Sequence, residues 1–156
     1  MIEVRLPDIG LLQLEHLVLD YNGTLAFDGV LMPGVRERIE RLSARLAIHV
    51  VTGDTFGVAR EQLRGVPCSL TLLPTHGQAA AKRDYVDALG AGAVACIGNG
   101  NNDRLMLQCA ALAIAVVQQE GAATAAVVAA DVVACDILHA LDLLDQPLRL
   151  VATLRG

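Results

Sequence analysis

Two hydrophobic periods alternate along this chain. Leu17-Val18-Leu19, Ile48-His49-Val50-Val51 and Val94-Ala95-Cys96-Ile97 are short, β-prone and almost unbroken, the signature of strands covered on both faces. Between them the spacing changes to that of a helix. Val35, Ile39, Leu42 and Leu46 recur at four, three and four, while Arg36, Glu37, Arg38, Glu40, Arg41 and Arg45 fill the other face. Arg36/Glu40 and Glu37/Arg41 stand at the i,i+4 spacing that allows pairing.

The elements follow in order. Met1 to Gln13, turned by Pro7, Asp8 and Gly10, reads as a hairpin leading into a first core strand that ends at Asp20. Leu25 to Leu31, around Asp28-Gly29, reads as a second hairpin, a flap spanning 25–32. Pro33-Gly34 opens the amphipathic helix. Further strands are predicted over Ala47–Thr52, Ser69–Leu73, Ala93–Ile97, Leu112–Val116 and Asp131–Val133. Helices are predicted over Thr55–Arg64, Gln78–Leu89 (stopped at Gly90), Asn102–Ala110, Gly121–Ala129 and from Asp136 onward. This alternation predicts an α/β fold: a doubly wound, mostly parallel, Rossmann-like sheet with helices on both faces. No repeat or linker divides residues 1–156, so one domain is expected, with a 1–13 hairpin, the flap, and no cap domain.

Composition narrows the chemistry. The chain has 156 residues, 54% of them hydrophobic and only 3% aromatic, so its core must come from Ala, Val, Leu and Ile. A net charge of −5, with no basic run and almost nothing to stack on, argues against nucleic-acid binding. Cys68, Cys96, Cys109 and Cys135 lack CxxC pairing and read as buried reduced thiols, not a disulfide or metal site. Met1 to Arg5 lacks an apolar core, so no signal peptide is expected. The apolar stretch Cys109 to Val117 is too short for a bilayer, which takes about 20 residues. A cytoplasmic protein is the expectation.

Candidate chemistry sits where the strands end. Asp20-Tyr21-Asn22-Gly23-Thr24, Thr52-Gly53-Asp54 and Gly98-Asn99-Gly100-Asn101-Asn102-Asp103 each follow an apolar run. They deliver carboxylates, a hydroxyl and Gly-rich turns to the strand ends where open α/β sheets bind ligands. Lys82 is the only lysine among twelve basic residues. A compact ammonium suits a crowded phosphate, although an ordinary surface position beside Arg83 and Asp84 is the plain alternative. His16, His49, His76 and His139 show no ligand spacing. His49 reads as a packed core residue, and His76 lies in a loop at the functional edge. A third glycine is missing from Gly98-Asn99-Gly100, and no GxxxxGK[ST] occurs, so neither a dinucleotide site nor a P-loop is indicated.

Taken in order, Asp20-Tyr21-Asn22-Gly23-Thr24, Thr52-Gly53-Asp54, Lys82 and Gly98 to Asp103 resemble the four motifs of the haloacid dehalogenase (HAD) superfamily. They look closest to its capless, soluble branch similar to the phosphorylation domain of P-type ATPases. The match runs from about Leu14 to Arg155. This resemblance implies Mg²⁺-dependent phosphoryl transfer through an aspartyl-phosphate, with Asp20 as nucleophile. It implies metal binding by Asp20, the Asn22 carbonyl, Asn99 and Asp103. Thr52 would donate a hydrogen bond to the phosphoryl group, and Lys82 would supply positive charge. Gly23, Gly53, Asp54 and Asn102 would orient phosphate, lysine or metal-bound water.

Two departures bear on rate. Asn22 stands where the superfamily's phosphatases carry a general acid–base aspartate, a role typically contributing about 10²–10⁴-fold. Asn99 replaces a metal-binding aspartate; one charge–charge interaction at about 4 Å and an effective dielectric near 20 is of order 4 kcal/mol. The expected function is therefore a slow phosphohydrolase. A regulatory phosphate-binding module and a stable phosphoryl acceptor are the alternatives, and ATP stays open as a substrate. Only 32 positions separate Asp20 from Thr52, leaving no chain for a cap. The expected partner is a phosphorylated substrate, a small molecule or a larger protein, and a homo-oligomer could provide a lid.

Overall fold

The computed structural model describes residues 1–7, 10–54 and 57–156. Its elements are β1 (Ile2–Leu6), β2 (Gly10–Leu14), β3 (His16–Asp20), β4 (Ala26–Phe27), β5 (Val30–Leu31), α1 (Val35–Ser43), β6 (Ala47–Thr52), α2 (Val58–Gln62) and β7 (Ser69–Leu72). They continue with α3 (Gln78–Leu89), β8 (Val94–Gly98), α4 (Arg104–Cys109), β9 (Leu112–Val116), α5 (Thr124–Ala129), β10 (Val132–Ala134), α6 (Ile137–Asp145) and α7 (Leu148–Leu154).

Six strands form one parallel sheet in the order β10-β9-β8-β3-β6-β7. The chain winds outward from β3 through β6 and β7, then returns to the other side for β8, β9 and β10. That reversal opens a crevice at the carboxyl ends of β3 and β8, the switch point where such sheets bind ligands. Side chains alternate across the sheet as strand geometry requires. Leu17, Leu19, Ile48, Val50, Ala95 and Ile97 pack with α1, α6 and α7 on one face. Val18, Val51 and Cys96 pack with α3, α4 and α5 on the other. The β1–β2 hairpin buries Ile2, Val4, Leu6, Leu12 and Leu14 against the first of these layers. The flap, β4 with β5, is held at its turn by the Tyr21 hydroxyl, which donates to the Gly29 carbonyl at 2.8 Å. The fold is thus the capless α/β architecture the sequence predicts. No helix among the described residues is long and apolar enough to cross a membrane.

Several boundaries move for local reasons. The turn residue Asp8 and the predicted helix start Thr55 lie outside the described residues. The helix expected from Asn102 begins as a 3₁₀ turn over Asn101–Asp103, where the Asp103 side chain is committed to amides behind it. The helix expected from Gly121 starts at Thr124, because Gly121, with φ of 71°, closes a turn on Gln118. Pro147 splits the C-terminal helical region into α6 and α7.

The Arg36/Glu40 and Glu37/Arg41 pairs do not form among the described residues. Arg38 instead makes a two-pronged bond to Asp142 of α6 at 2.8 and 3.0 Å, and Arg41 reaches Asp145 at 3.2 Å. Arg36 donates to the Arg64 and Gln62 carbonyls. All four cysteines are free, but only Cys96 is buried and Cys135 is exposed, so the expectation of buried thiols holds for one of them. His49 is buried, and its ring nitrogens are satisfied by His16 at 3.1 Å and Tyr85 at 3.0 Å.

Ile39 of α1 is fully buried against the sheet. Ile39→Ala should destabilise the fold by about 2–5 kcal/mol, measured by urea unfolding. A loss under about 1 kcal/mol would contradict this packing.

Candidate active site

β3 carries Asp20 to the switch point, level with Val51 of β6 and next to the end of β8. Asp20 shares a face with Val18, the face that α3 covers. Lys82 and Val86, one helical turn apart, are the positions α3 buries there. The Lys82 ammonium consequently lands between two carboxylates, donating to Asp20 Oδ1 and to Asp103 Oδ1 at 2.6 Å each. Lys82 and Asp103 are 0% exposed and Asp20 is 6%. A cation this deep is tolerated only when paired and hydrogen-bonded, and two carboxylates meet that requirement. Burial works against the Lys82 charge, but Asp20 and Asp103 outweigh it and hold its pKa above the usual lysine value. Asp20 is pushed up to about 6, by burial first and by the Asp103 charge second, with Lys82 and Thr24 opposing.

A tight turn follows the nucleophile candidate. The Tyr21 carbonyl accepts the amides of Thr24, Leu25 and Ala26 at 3.2, 2.9 and 3.0 Å, and the Gly23 amide donates back to the Ala26 carbonyl at 2.9 Å. Gly23 has φ of 77°, and a Cβ there would run into the Asn99 carboxamide, so only glycine suits the position. The buried Thr24 hydroxyl lies 3.1 Å from Asp20 Oδ2 and 3.2 Å from Asn99 Oδ1, one proton shared between two acceptors. Asn99 Nδ2 donates to the Gly121 carbonyl at 3.0 Å, which leaves its oxygen for the Thr24 hydroxyl. Gln118 closes the turn from outside, donating to the Gly23 and Thr24 carbonyls at 3.1 and 3.0 Å.

The remaining candidates distribute unevenly. Asp103, expected among the metal donors, gives its first oxygen to the Lys82 ammonium. Its second oxygen accepts the Asn99 and Gly100 amides at 3.0 and 2.7 Å, so it anchors Lys82 and the turn after β8. Gly98 has to be glycine, since a Cβ would come within 2.6 Å of the Asp103 carboxyl carbon. Thr52 is buried at the end of β6, beside the strand that carries Asp20. Asp54, expected to orient Lys82 or a metal-bound water, accepts the Ala59 amide of α2 at 2.9 Å. Asn102, expected at the metal end, donates to Gln78 Oε1 at 2.8 Å. The Gln78 carboxamide in turn lies against Gly53, where a side chain would collide with it. His76 is exposed in the loop before α3.

Among the described residues no cluster of three or more His, Cys, Asp and Glu side chains is gathered for a metal. A hard cation would therefore draw on mixed oxygens: Asp20, the Asn99 amide oxygen and the Asn22 carbonyl. The fit is good in kind, because Mg²⁺ takes oxygen ligands, commonly one or two carboxylates with several waters. The Gly23 cradle, which a Cβ would fill, is what lets the first turn approach Asn99. Of the residues just described, Thr24, Gln118, Gln78 and Tyr21 had no assigned role in the sequence reading. Tyr21 and Thr24 lie inside a quoted motif; Gln78 and Gln118 carry no signal that marks them for the site.

Protonated Asp20 favours the metal-free fold, because its folded value lies above that of an unfolded aspartate. This advantage is present at about pH 4 and lost as pH rises through about 6. Asp20→Asn removes it. Whatever its offset, the unfolding free energy of the variant relative to the parent should rise between about pH 4 and 7.5 by roughly 2 kcal/mol, read by urea titration with chelator present. A difference that stays flat or falls as pH rises contradicts the assignment. Asn99→Asp should cost about 1–3 kcal/mol of metal-free stability, since it loses a donor and sets a carboxylate against the Gly121 carbonyl. A variant as stable as the parent contradicts that.

No family model matches the sequence. An uncharacterized protein of Methanocaldococcus jannaschii is 48% identical over 62 residues, which are 40% of this chain and 67% of that protein. A second uncharacterized protein of the same organism is 44% identical over 39 residues, 25% of this chain and 89% of that one. Among solved structures, the cobalt-bound deoxy-D-mannose-octulosonate 8-phosphate phosphatase of Haemophilus influenzae superposes with a TM-score of 0.71 at 17% identity, covering 86% of this chain and 88% of its own. The 3-deoxy-D-manno-octulosonate 8-phosphate phosphatase of Moraxella catarrhalis, in complex with magnesium, phosphate and KDO, gives 0.70 at 12% identity over 91% and 94%. A protein of Streptomyces avermitilis named as a HAD family hydrolase gives 0.66 at 18% over 92% and 85%. The chain thus belongs to one family with the first archaeal protein and has the fold of the haloacid dehalogenase superfamily.

Proposed function

We propose that this protein is a slow, Mg²⁺-dependent phosphohydrolase of a phosphorylated small molecule, with Asp20 as nucleophile. The observation that carries this reading is the buried ammonium of Lys82 held between Asp20 and Asp103 at the switch point of a parallel sheet. The phosphatases of the same fold support the reaction class, and their 8-phosphate sugar acid supports a small phosphorylated substrate.

In this reading Lys82 keeps Asp20 ionised at working pH and places positive charge beside the incoming phosphoryl group. One carboxylate oxygen of Asp20 attacks phosphorus; the new O–P bond forms as the bond to the leaving oxygen breaks. That oxygen departs with the electron pair and takes its proton from water, because Asn22 has none to give. Water then attacks phosphorus, the bond to Asp20 breaks, and inorganic phosphate leaves. Thr52 donates its hydroxyl to the phosphoryl oxygens, and Thr24 holds Asp20 and Asn99 in register. Mg²⁺, when bound through Asp20, Asn99 and the Asn22 carbonyl, neutralises charge on the transferring group. Asp103 acts only through the lysine and the turn it anchors. A second copy of the chain serving as lid belongs to the same reading, since no cap is present.

Asn22 favours one second reading, a phosphoryl acceptor that holds its phosphate, as the resemblance to the P-type-ATPase-like branch implies. One assay separates the two. With p-nitrophenyl phosphate and Mg²⁺, steady nitrophenol release should be seen and should vanish in Asp20→Asn. Asn22→Asp should raise turnover at least about tenfold, the low end of general acid–base effects. A single stoichiometric burst identifies the acceptor. Turnover that survives Asp20→Asn overturns both.

A further inference from the structure

The glycine-containing turn after Asp20 is held from within by bonds to the Tyr21 and Ala26 carbonyls, and a further contact reaches it from outside. Gln118, just beyond β9, reaches it across 94 and 95 positions of sequence. Its Nε2 donates one hydrogen each to the Gly23 and Thr24 carbonyls, while its Oε1 accepts the Ile137 amide at 2.8 Å. The carboxamide therefore has one favourable orientation: a flip would set oxygen against two carbonyls and NH₂ against an amide. The Ile137 amide is left for Gln118 because Asp136 caps the next two, Leu138 and His139, of α6. That helix is fastened in turn to α1, the helix after the flap, by Arg38–Asp142.

The consequence concerns the carbonyls of the turn. Tyr21 accepts three backbone amides, and Gly23 and Thr24 accept Gln118. Asn22 carries the remaining carbonyl, and among the described residues it accepts no hydrogen bond. We propose that Gln118 is a positioning residue that locks the nucleophile turn, leaving the Asn22 carbonyl as its one uncommitted oxygen while Thr24 stays on Asp20 and Asn99. The catalytic part of this inference rests on the function proposed above, whereas the locking of the turn does not.

Gln118→Glu is nearly isosteric. It keeps the acceptor for Ile137 and replaces the donated bonds by a carboxylate facing two carbonyls. The control is Asp136→Ala, which strips the α6 cap without touching the turn. In the metal-free protein, exchange of the Thr24, Leu25 and Ala26 amides should accelerate at least about tenfold in Gln118→Glu and stay near parent values in the control. With p-nitrophenyl phosphate, kcat should fall at least about tenfold with KM within about threefold, because small displacements of reacting groups cost rate steeply. Calorimetric titration with Mg²⁺ alone should show weaker binding. Gln118→Ala repeats the test should the glutamate variant not fold. Unchanged amide exchange, or exchange and kcat moving together with the control, overturns the inference. A parent without Mg²⁺-dependent turnover sinks the proposed function, and amide exchange then still decides whether Gln118 locks the turn.

Discussion

A wholly buried ammonium organises this protein. Lys82 is wholly inside, and its tolerance there depends on two carboxylates 2.6 Å away, one at the end of β3 and one in the 3₁₀ turn after β8. Moving a cation into a low-dielectric interior carries a penalty of several kcal/mol, recovered only through close pairing and hydrogen bonds. Removing either carboxylate would leave charge exposed to apolar packing, so β3, β8 and α3 are fixed relative to one another by this triad. Lysine suits the position better than arginine: a point charge on a flexible stem fits between two oxygens, where a planar fork would demand a wider gap. The same arrangement loads Asp20 with opposing influences. Burial and Asp103 raise its proton affinity while Lys82 lowers it, leaving a carboxylate poised near neutrality.

Around the triad, polar side chains substitute for charge. Asn99 turns its amide oxygen to the Thr24 hydroxyl while its NH₂ is held by the Gly121 carbonyl, so both ends of the carboxamide are matched to their neighbours. Close approach is bought by missing side chains. Gly23 admits Asn99 and Gly98 admits Asp103, each where a Cβ would collide with the neighbour. Asp103 turns that proximity into structure by accepting two successive amides of its own turn. Rigidity at the site therefore comes from carboxylate and carboxamide bonds to backbone more than from apolar packing.

Much of this was legible in the sequence because it is encoded locally. Unbroken apolar runs ending in Asp20, Thr52 and Gly98 gave the strands, their parallel order and the edge at which chemistry gathers. Lys82 stood out by composition, as the single lysine. What escaped was encoded over distance. Arg36 and Arg41 of α1 faced apparent partners one turn away, yet Arg36 donates to the Gln62 and Arg64 carbonyls and Arg41 reaches Asp145, 104 positions on. Gln118 followed a strand with no periodicity to mark it, and its role exists only because β9 ends beside the turn of β3. The bond from Lys82 to Asp103 joins residues 21 positions apart, and the close approach of that carboxylate to its own turn rests on the missing Cβ of Gly98, which no pattern along the chain expresses. Asp54 accepts the Ala59 amide and Asn102 donates to Gln78, two further contacts that the strand-end pattern alone does not express.

The central claim is that Asp20 itself takes the phosphoryl group. Acyl phosphates are reduced by borohydride, which converts the parent aspartate to homoserine. The direct measurement is therefore peptide mass spectrometry of protein quenched with borohydride during incubation with p-nitrophenyl phosphate and Mg²⁺. The account predicts homoserine at position 20, dependent on Mg²⁺ and on substrate. Nitrophenol release with aspartate intact at position 20, or with the modification on another residue, would contradict it.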